Sequence, residues 1–324
     1  MRVLRNAARL FVLLTCQAIA KQTDSEEPAG DAVLVEMRPL LRIPDVLLNF
    51  LEELPVQWTV WFLHAGDNHQ YVLEAVALQP YFASGRLQLR LLQHVAPRYL
   101  QAALAARNLN GTRGIRNTAF FNREHMKQVH WNDDFLLSVE YWQYFKAPLR
   151  LMFEIDTALC PNSGVSPRNF SQYTFTGSPW KRKMLFLCRN KFWFHCVGNS
   201  GLSLWRRDVM MRFVSNEKDF MGVWKALPKK WALDMWVSYI IQKKTSWKAL
   251  NITEHEDVAP DNKAWRFGVE SIYKGNYTPF GVHQWWTFMT LGSPVVNELF
   301  ERCPAAEGLR NFTMFSLDGS NATI

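Results

Sequence analysis

Leu149-Arg150-Leu151-Met152-Phe153-Glu154-Ile155-Asp156 is the segment on which the reading of this chain turns. Large apolar side chains run directly into two acids, so Leu149–Ile155 reads as a central strand carrying carboxylates at its C-terminal end. Residues i and i+2 of a strand share a face, which places Glu154 and Asp156 together. Two carboxylates on one face can hold a divalent cation, and such a cation can bridge a diphosphate. The same acid-x-acid pattern recurs at Asp24/Glu26 and Glu254/Glu256. Only the strand context singles this one out.

Outward from that strand, the sequence alternates. Upstream, Asp133 is placed to cap a helix whose apolar residues Phe135, Val139, Trp142 and Phe145 fall at helical spacing, with Pro148 ending it. Further upstream, Val56 to Leu63 is β-branched and aromatic and stops at the polar run His64-Ala65-Gly66-Asp67-Asn68. Arg86 to Leu92 then alternates leucines with polar residues. Both read as strands. Downstream, Leu233, Trp236, Val237, Ile240 and Ile241 recur at the spacing of an amphipathic helix. Strands alternating with helices imply an α/β fold with a largely parallel central sheet, which binds ligands at the carboxyl ends of its strands. Residues 100–125, rich in Asn, Arg and Gly, read as a mobile loop, and no internal repeat is visible.

The composition bounds the function. The chain has 324 residues, 48% hydrophobic and 20% charged, which excludes collagen, low-complexity disorder and a disulfide-stapled miniprotein. Net charge is +8, three of it from Arg2, Arg5 and Arg9, and no Lys/Arg block long enough to follow a phosphate backbone is present. No nucleic-acid partner is therefore expected. The 14 Trp residues suit a thick core or a stacking surface for sugars. The motifs of serine hydrolases (GxSxG), zinc proteases (HExxH) and P-loop nucleotide cradles are missing.

The first residues read as an address. Three arginines, the apolar run Leu10 to Cys16 and the small residues Ala18-Ile19-Ala20 form the zones of a secretory signal peptide, with a short signal anchor as the alternative. No later segment is apolar enough to span a membrane. Six N-x-[ST] sequons, at Asn110, Asn169, Asn251, Asn276, Asn311 and Asn321, agree with passage through the secretory pathway, in the endoplasmic reticulum or Golgi lumen or outside the cell. Besides Cys16 there are four cysteines, Cys160, Cys188, Cys196 and Cys303, which allow two disulfides in three connectivities. Cys188 with Cys196 is the favoured pair, across an aromatic segment able to turn back on itself, ahead of Cys160 with either of those partners. The expected organisation is a signal at 1–20, a linker at 21–45, one domain at 46–303 and a tail at 304–324.

Two further segments carry candidate chemistry. In Val197-Gly198-Asn199-Ser200-Gly201-Leu202, two glycines flank an asparagine in a tight loop ahead of an apolar stretch, where backbone can approach a ligand closely. In Gly281-Val282-His283, one histidine sits among apolar residues. Asp234 lies on the polar side of the amphipathic helix, beside Ser238.

The order of these pieces, from Asp133-Asp134-Phe135 through Phe153-Glu154-Ile155-Asp156, Thr176-Gly177-Ser178-Pro179-Trp180, Gly198-Asn199-Ser200-Gly201, Asp234, Phe267-Gly268-Val269-Glu270 and Gly281-Val282-His283, resembles a glycosyltransferase-like family catalogued as "domain of unknown function 5672". The resemblance covers roughly residues 55–290. It implies a GT-A-like, nucleotide-sugar-binding α/β sandwich and sugar transfer from a nucleotide-sugar donor to a glycan or other hydroxyl acceptor. It further implies Asp156 as ligand of Mn²⁺ or Mg²⁺, with His283 completing the metal site. Glu154 stands where the family often has a neutral residue. Gly198, Asn199 and Gly201 match a glycine-asparagine loop in which Ser200 replaces a usual glycine. Asp234 matches the second of two paired acids and is the candidate base, with Leu233 in the place of the first. Trp180 and Asp133 join the donor and acceptor side. The alternative is a non-catalytic, secreted carbohydrate-binding or structural glycoprotein on the same scaffold.

Overall fold

The computed structural model describes residues 27–109, 131–180, 197–216, 233–242, 259–270, 272–285, 289–310, 313–315 and 321–323. Its centre is a six-stranded sheet built from β1 (Gly30–Val35), β2 (Trp58–His64), β3 (Leu87–Leu91), β4 (Leu149–Phe153), β6 (Phe175–Pro179) and β7 (Val197–Arg206). The strand order is β3-β2-β1-β4-β7-β6. β1, β2, β3 and β4 run parallel, while β7 is antiparallel to both β4 and β6. This is the α/β fold with a largely parallel sheet expected from the sequence.

Successive residues of the strands feed opposite faces. Val33, Leu63, Met152 and Trp205 pack with Phe135, Trp142, Phe213 and Val237 on one side. Ala32, Leu34, Leu151, Phe153 and Leu204 pack with Leu47, Phe50 and Phe267 on the other. Burial on both faces explains why β4 is an unbroken apolar run apart from Arg150. A smaller sheet of β5 (Thr157–Leu159), β9 (Gly281–His283) and β8 (Gly268–Val269) sits beyond the carboxyl end of β4. It covers a third cluster that includes Val269, Val282, Trp285 and Leu299. No helix among the described residues is long and apolar enough to cross a membrane.

Several expectations are corrected. β1 lies inside the stretch read as a linker, yet it is buried between β2 and β4. β2 begins at Trp58, and Val56 is exposed. The single helix expected after Asp133 is two, Trp131–Leu136 and Val139–Tyr144, so Asp133 lies within the first helix instead of capping a long one. Ser138 breaks the run and caps the second helix by accepting a hydrogen bond from Tyr141 N. Residues 100–109 of the expected loop belong to a helix, Pro97–Leu109. Cys160 pairs with Cys303, 143 residues away, and the favoured Cys188–Cys196 pair lies outside the described residues. The segment read as a tail contributes buried Ala306 and Leu309 to the third cluster.

Candidate functional site

Chain order reverses in the sheet between β1 and β4. From β1 the chain proceeds outward through β2 and β3 on one side, whereas β4 leads into β7 and β6 on the other. Loops leaving the carboxyl ends of two such neighbours diverge and leave a crevice, the usual ligand site of open α/β sheets. Leu34 pairs with Phe153. The segment after β1 and the acids after β4 therefore leave the sheet side by side.

Glu154 and Asp156 converge here, but not through the strand pleat. β4 ends at Phe153, and the chain turns, Thr157 N donating to Glu154 O at 3.2 Å. The carbonyl of Gly201 on β7 fixes this turn by accepting from Glu154 N at 2.9 Å and Thr157 Oγ1 at 3.0 Å. β5 then pairs with β9 so that Thr157 stands opposite His283, which brings the histidine to Asp156. His283 Nε2 lies 3.4 Å from Asp156 Oδ1 and 3.5 Å from Glu154 Oε2. One ligand atom from each of the three residues lies within 4.8 Å of the others. A Cβ on Gly201 would fall 2.2–2.6 Å from the imidazole atoms, so only glycine admits His283 there.

The electrostatics are tight. Burial opposes the charge on Asp156, but His283 and the amide of Gln284 outweigh it and hold the carboxyl below its ordinary range. Burial likewise opposes the charge on His283, yet Asp156 and Glu154 hold its pKa well above the usual histidine value. Asp156 Oδ1 and both ring nitrogens of His283 are buried and make no well-formed hydrogen bond among the described residues. Two carboxylates and an imidazole are a fitting donor set for Mn²⁺ or Mg²⁺, and the orphaned oxygen and nitrogen atoms are those a cation would use.

Sequence reasoning missed two supporting residues, both inside segments it had quoted or adjoining them. Gln284 Nε2 donates to Asp156 Oδ2 at 2.6 Å, from a backbone in the left-handed region (φ 42°) that a non-glycine residue adopts only at a cost. Glu270, after β8, comes within 3.9 Å of His283 Nδ1, the second-layer position from which a carboxylate orients a ligating histidine. Neither role has a local signature, because each exists only once β5, β8 and β9 pair.

The remaining candidates are placed unevenly. Gly198 to Gly201 belong to β7, beside a register shift in its pairing with β6, instead of forming a loop ahead of the strand. Gly198 has φ 129°, and Asn199 Oδ1 accepts from Gly201 N at 2.8 Å. Ser238, expected on a polar face, is buried, and its side chain lies about 3 Å from where a Cβ on Gly198 would stand. Asp133, Glu154 and Ser200 line one narrow cavity of about 40 Å³ at the β1/β4 crevice. Trp180 is buried, and Asp234 lies in the helix Leu233–Gln242, its side chain outside the described residues.

The segment after β1 is held by side-chain hydrogen bonds of its own. Glu36 accepts from Arg38 three times, from Nε at 2.9 Å, Nη2 at 2.6 Å and the backbone N at 2.8 Å. Buried Asn68 donates to the carbonyls of Glu36 and Arg38 at 2.7 and 3.1 Å, while its Oδ1 accepts from Ala65 N. Next to it, His64 Nδ1 accepts from Gly66 N and the ring stacks on His69 at 4.6 Å. Burial first, then His69 and His94, push the His64 pKa down to about 4.

No curated protein sequence matches the chain. Among solved structures it is distantly similar to the galactosyltransferase LgtC in complex with donor and acceptor sugar analogs (11% identity, 89% of this chain and 98% of that one, TM-score 0.44). It is similar also to mouse xyloside xylosyltransferase 1 in its apo form (11%, 81% and 99%, 0.41). A third is the mannosyltransferase PcManGT from Pyrobaculum calidifontis in complex with GDP-Man and Mn²⁺ (8%, 80%, 0.34), of which this chain spans 65%. A family model described as "Protein of unknown function (DUF5672)" matches residues 116–283, just over half of the chain and a span holding Glu154, Asp156 and His283. The chain therefore belongs to the DUF5672 family.

Proposed function

We propose that this protein is a glycosyltransferase that moves a sugar from a nucleotide-sugar donor to an acceptor hydroxyl with the help of a divalent cation. The observation that carries the reading is the convergence of Asp156, Glu154 and His283 at the β1/β4 crevice, with buried oxygen and nitrogen atoms left unsatisfied. These three residues would hold Mn²⁺ or Mg²⁺, and a cation bound there supplies charge neutralisation for a diphosphate leaving group. Gln284 fixes the Asp156 carboxylate, and Glu270, 3.9 Å from His283 Nδ1, adds a further negative charge beside the ring. Asp133 and Ser200 line the donor side of the same crevice. Asp234 takes the proton from the acceptor hydroxyl, which implies inversion at the sugar.

The proposal includes a luminal or extracellular setting. The Cys160–Cys303 disulfide suits an oxidising compartment, and the sequon residues Asn169 and Asn276 are exposed. N-terminal sequencing of the mature protein should start near Lys21, and an intact Met1 on a soluble cytosolic product would refute this setting.

Thermal-shift and calorimetric titration with nucleotide sugars, each with and without Mn²⁺, tests the function. Binding that needs the metal in the wild-type protein and vanishes in Asp156→Asn is expected. Metal-independent binding, or none, overturns the reading. Leu233, standing where the family resemblance implies an acid, favours one second reading: a non-catalytic carbohydrate-binding protein that binds glycans on an array and turns over no donor.

A further inference from the structure

We infer that Arg38 is a binding residue for the diphosphate of the donor, the cationic arm of a two-armed site whose other arm is the Asp156–Glu154–His283 cluster. This rests on the donor-binding reading above and adds to it a residue from a different strand.

β1 and β4 are parallel neighbours at the reversal point of the sheet, and their register sets Leu34 beside Phe153. The segments that follow β1 and β4, which carry Arg38 and Asp156, therefore leave neighbouring strand ends at the same edge of the sheet. Glu36 contributes most to the charge on Arg38, burial opposes it, and Asp156 and Glu154 add smaller contributions in its favour.

The second observation is how the arginine is held. Its side chain does not close onto the acids of the metal cluster. It is clamped through Nε and Nη2 by its own neighbour Glu36, whose carboxylate is buried and fully engaged. That leaves both N–H groups of Nη1, and one of Nη2, without a hydrogen-bond partner among the described residues, on a side chain 26% exposed. The backbone beneath is pinned by Asn68, itself fully buried. A planar donor fork, fixed in orientation with three N–H groups unpaired among the described residues, matches the oxygens of a phosphate. An ion pair serving only the fold has no need of this arrangement: Glu36 could be an apolar residue and the arginine absent.

Electrostatics give the arms opposite preferences. Asp156 and Glu154 attract a cation and repel phosphate, whereas Arg38 attracts phosphate and repels a cation. A diphosphate complexed with a divalent cation satisfies both; metal alone or phosphate alone satisfies one.

The test uses the full chain, with UDP and GDP as probes in separate calorimetric titrations, and Mn²⁺ alone followed by electron paramagnetic resonance. Arg38→Gln should weaken Mn²⁺-dependent diphosphate binding by about tenfold or more, the usual worth of charge-assisted hydrogen bonds. It should leave the affinity for Mn²⁺ alone unchanged or tighter, because a nearby positive charge is removed. A structural role would move both affinities in the same direction. Should Arg38→Gln fold poorly, the double variant Glu36→Gln/Arg38→Gln removes the uncompensated buried carboxylate and is held to the same expectations. Diphosphate binding equal to wild type in a folded variant overturns the assignment of Arg38 while the donor-binding reading stands. If the wild-type protein binds neither diphosphate with Mn²⁺, both fall.

Discussion

β1 carries a carboxylate at each end, and each is paired with an arginine, yet the two pairs do opposite things. At the amino end, Asp31 meets Arg150, its direct neighbour on β4, at 2.8 Å. Arg150 is wholly buried and Asp31 nearly so. Trp61 Nε1 and Ala147 N also donate to Asp31, and the guanidinium carbon lies 4.5 Å from the Phe145 ring centroid, with Tyr141 and Trp142 beside it. At the carboxyl end, Glu36 holds Arg38 just as closely, at 2.6 Å, but this arginine retains access to solvent. The chemistry is the same. Burial separates a pair that fastens two strands from one that presents a charge to a ligand.

The largest expected effect breaks the buried pair. Arg150→Met leaves Asp31 charged in the core, and removing one partner of a buried ion pair costs about 3–5 kcal/mol. Trp61 and Ala147 still donate to Asp31, so the low end is expected. Denaturant unfolding measures this, and Asp31→Asn/Arg150→Met should recover much of the loss. Arg38→Gln, by contrast, should cost less, about 1–2 kcal/mol: it too leaves a buried carboxylate, but the backbone N of residue 38 still donates to Glu36 and the new amide can do so as well. Equal losses at both ends would dissolve the distinction.

Next comes the metal arm. Asp156→Asn should reduce Mn²⁺-dependent donor binding by about a hundredfold or more, since a first ligand is lost where even supporting residues cost 10–100-fold. The same substitution also touches stability. The side chain is only 13% exposed and sits against His283, so a stability loss of about 1–2 kcal/mol is expected as well. Asparagine can still accept from Gln284, which keeps the fold.

A smaller, pH-dependent effect lies at the end of β2. His64 has a pKa of about 4 in the folded protein against an ordinary 6.5. As pH falls, the unfolded chain takes up the proton first. The stabilising contribution, complete above about pH 6.5, is therefore lost as pH approaches 4, and amounts to roughly 3 kcal/mol at most. His64→Gln should flatten the acid limb of stability against pH, read by urea unfolding at several pH values. An unchanged slope would locate the acid sensitivity elsewhere.

The smallest effect sharpens the metal arm. Gln284→Ala frees one Asp156 oxygen and should weaken Mn²⁺ affinity by about tenfold with the fold intact, the lower end for a supporting residue. Metal titration checks it.

How far the site could be read from sequence depends on where its chemistry is local. Glu154 and Asp156 stand out because an apolar strand delivers them, and His283 because its apolar surroundings and the family resemblance mark it. Gln284 and Glu270 carry no such mark, and neither does Glu36, whose partner Arg38 is only two residues away but whose meaning depends on β4. The acid-x-acid spacing put Glu154 and Asp156 together for a reason that does not hold: a turn tied to Gly201 brings them together, not the pleat.

What the sequence by itself determined are the elements with strong periodicity: β2, β3, β4, the helix Leu233–Gln242 and the α/β alternation. Apolar burial is additive along a segment, so its pattern is written locally. Only the tertiary structure decided that β1 is a central strand. Polar residues from Gln22 to Asp31 resemble a linker, and a charged Asp31 argues against a core position until Arg150, 119 residues away, neutralises it. The tertiary structure likewise set His283 against Asp156 and Cys303 against Cys160. Burying a polar group costs free energy unless a partner is present, and that partner is chosen by strand pairing, not by proximity in the chain.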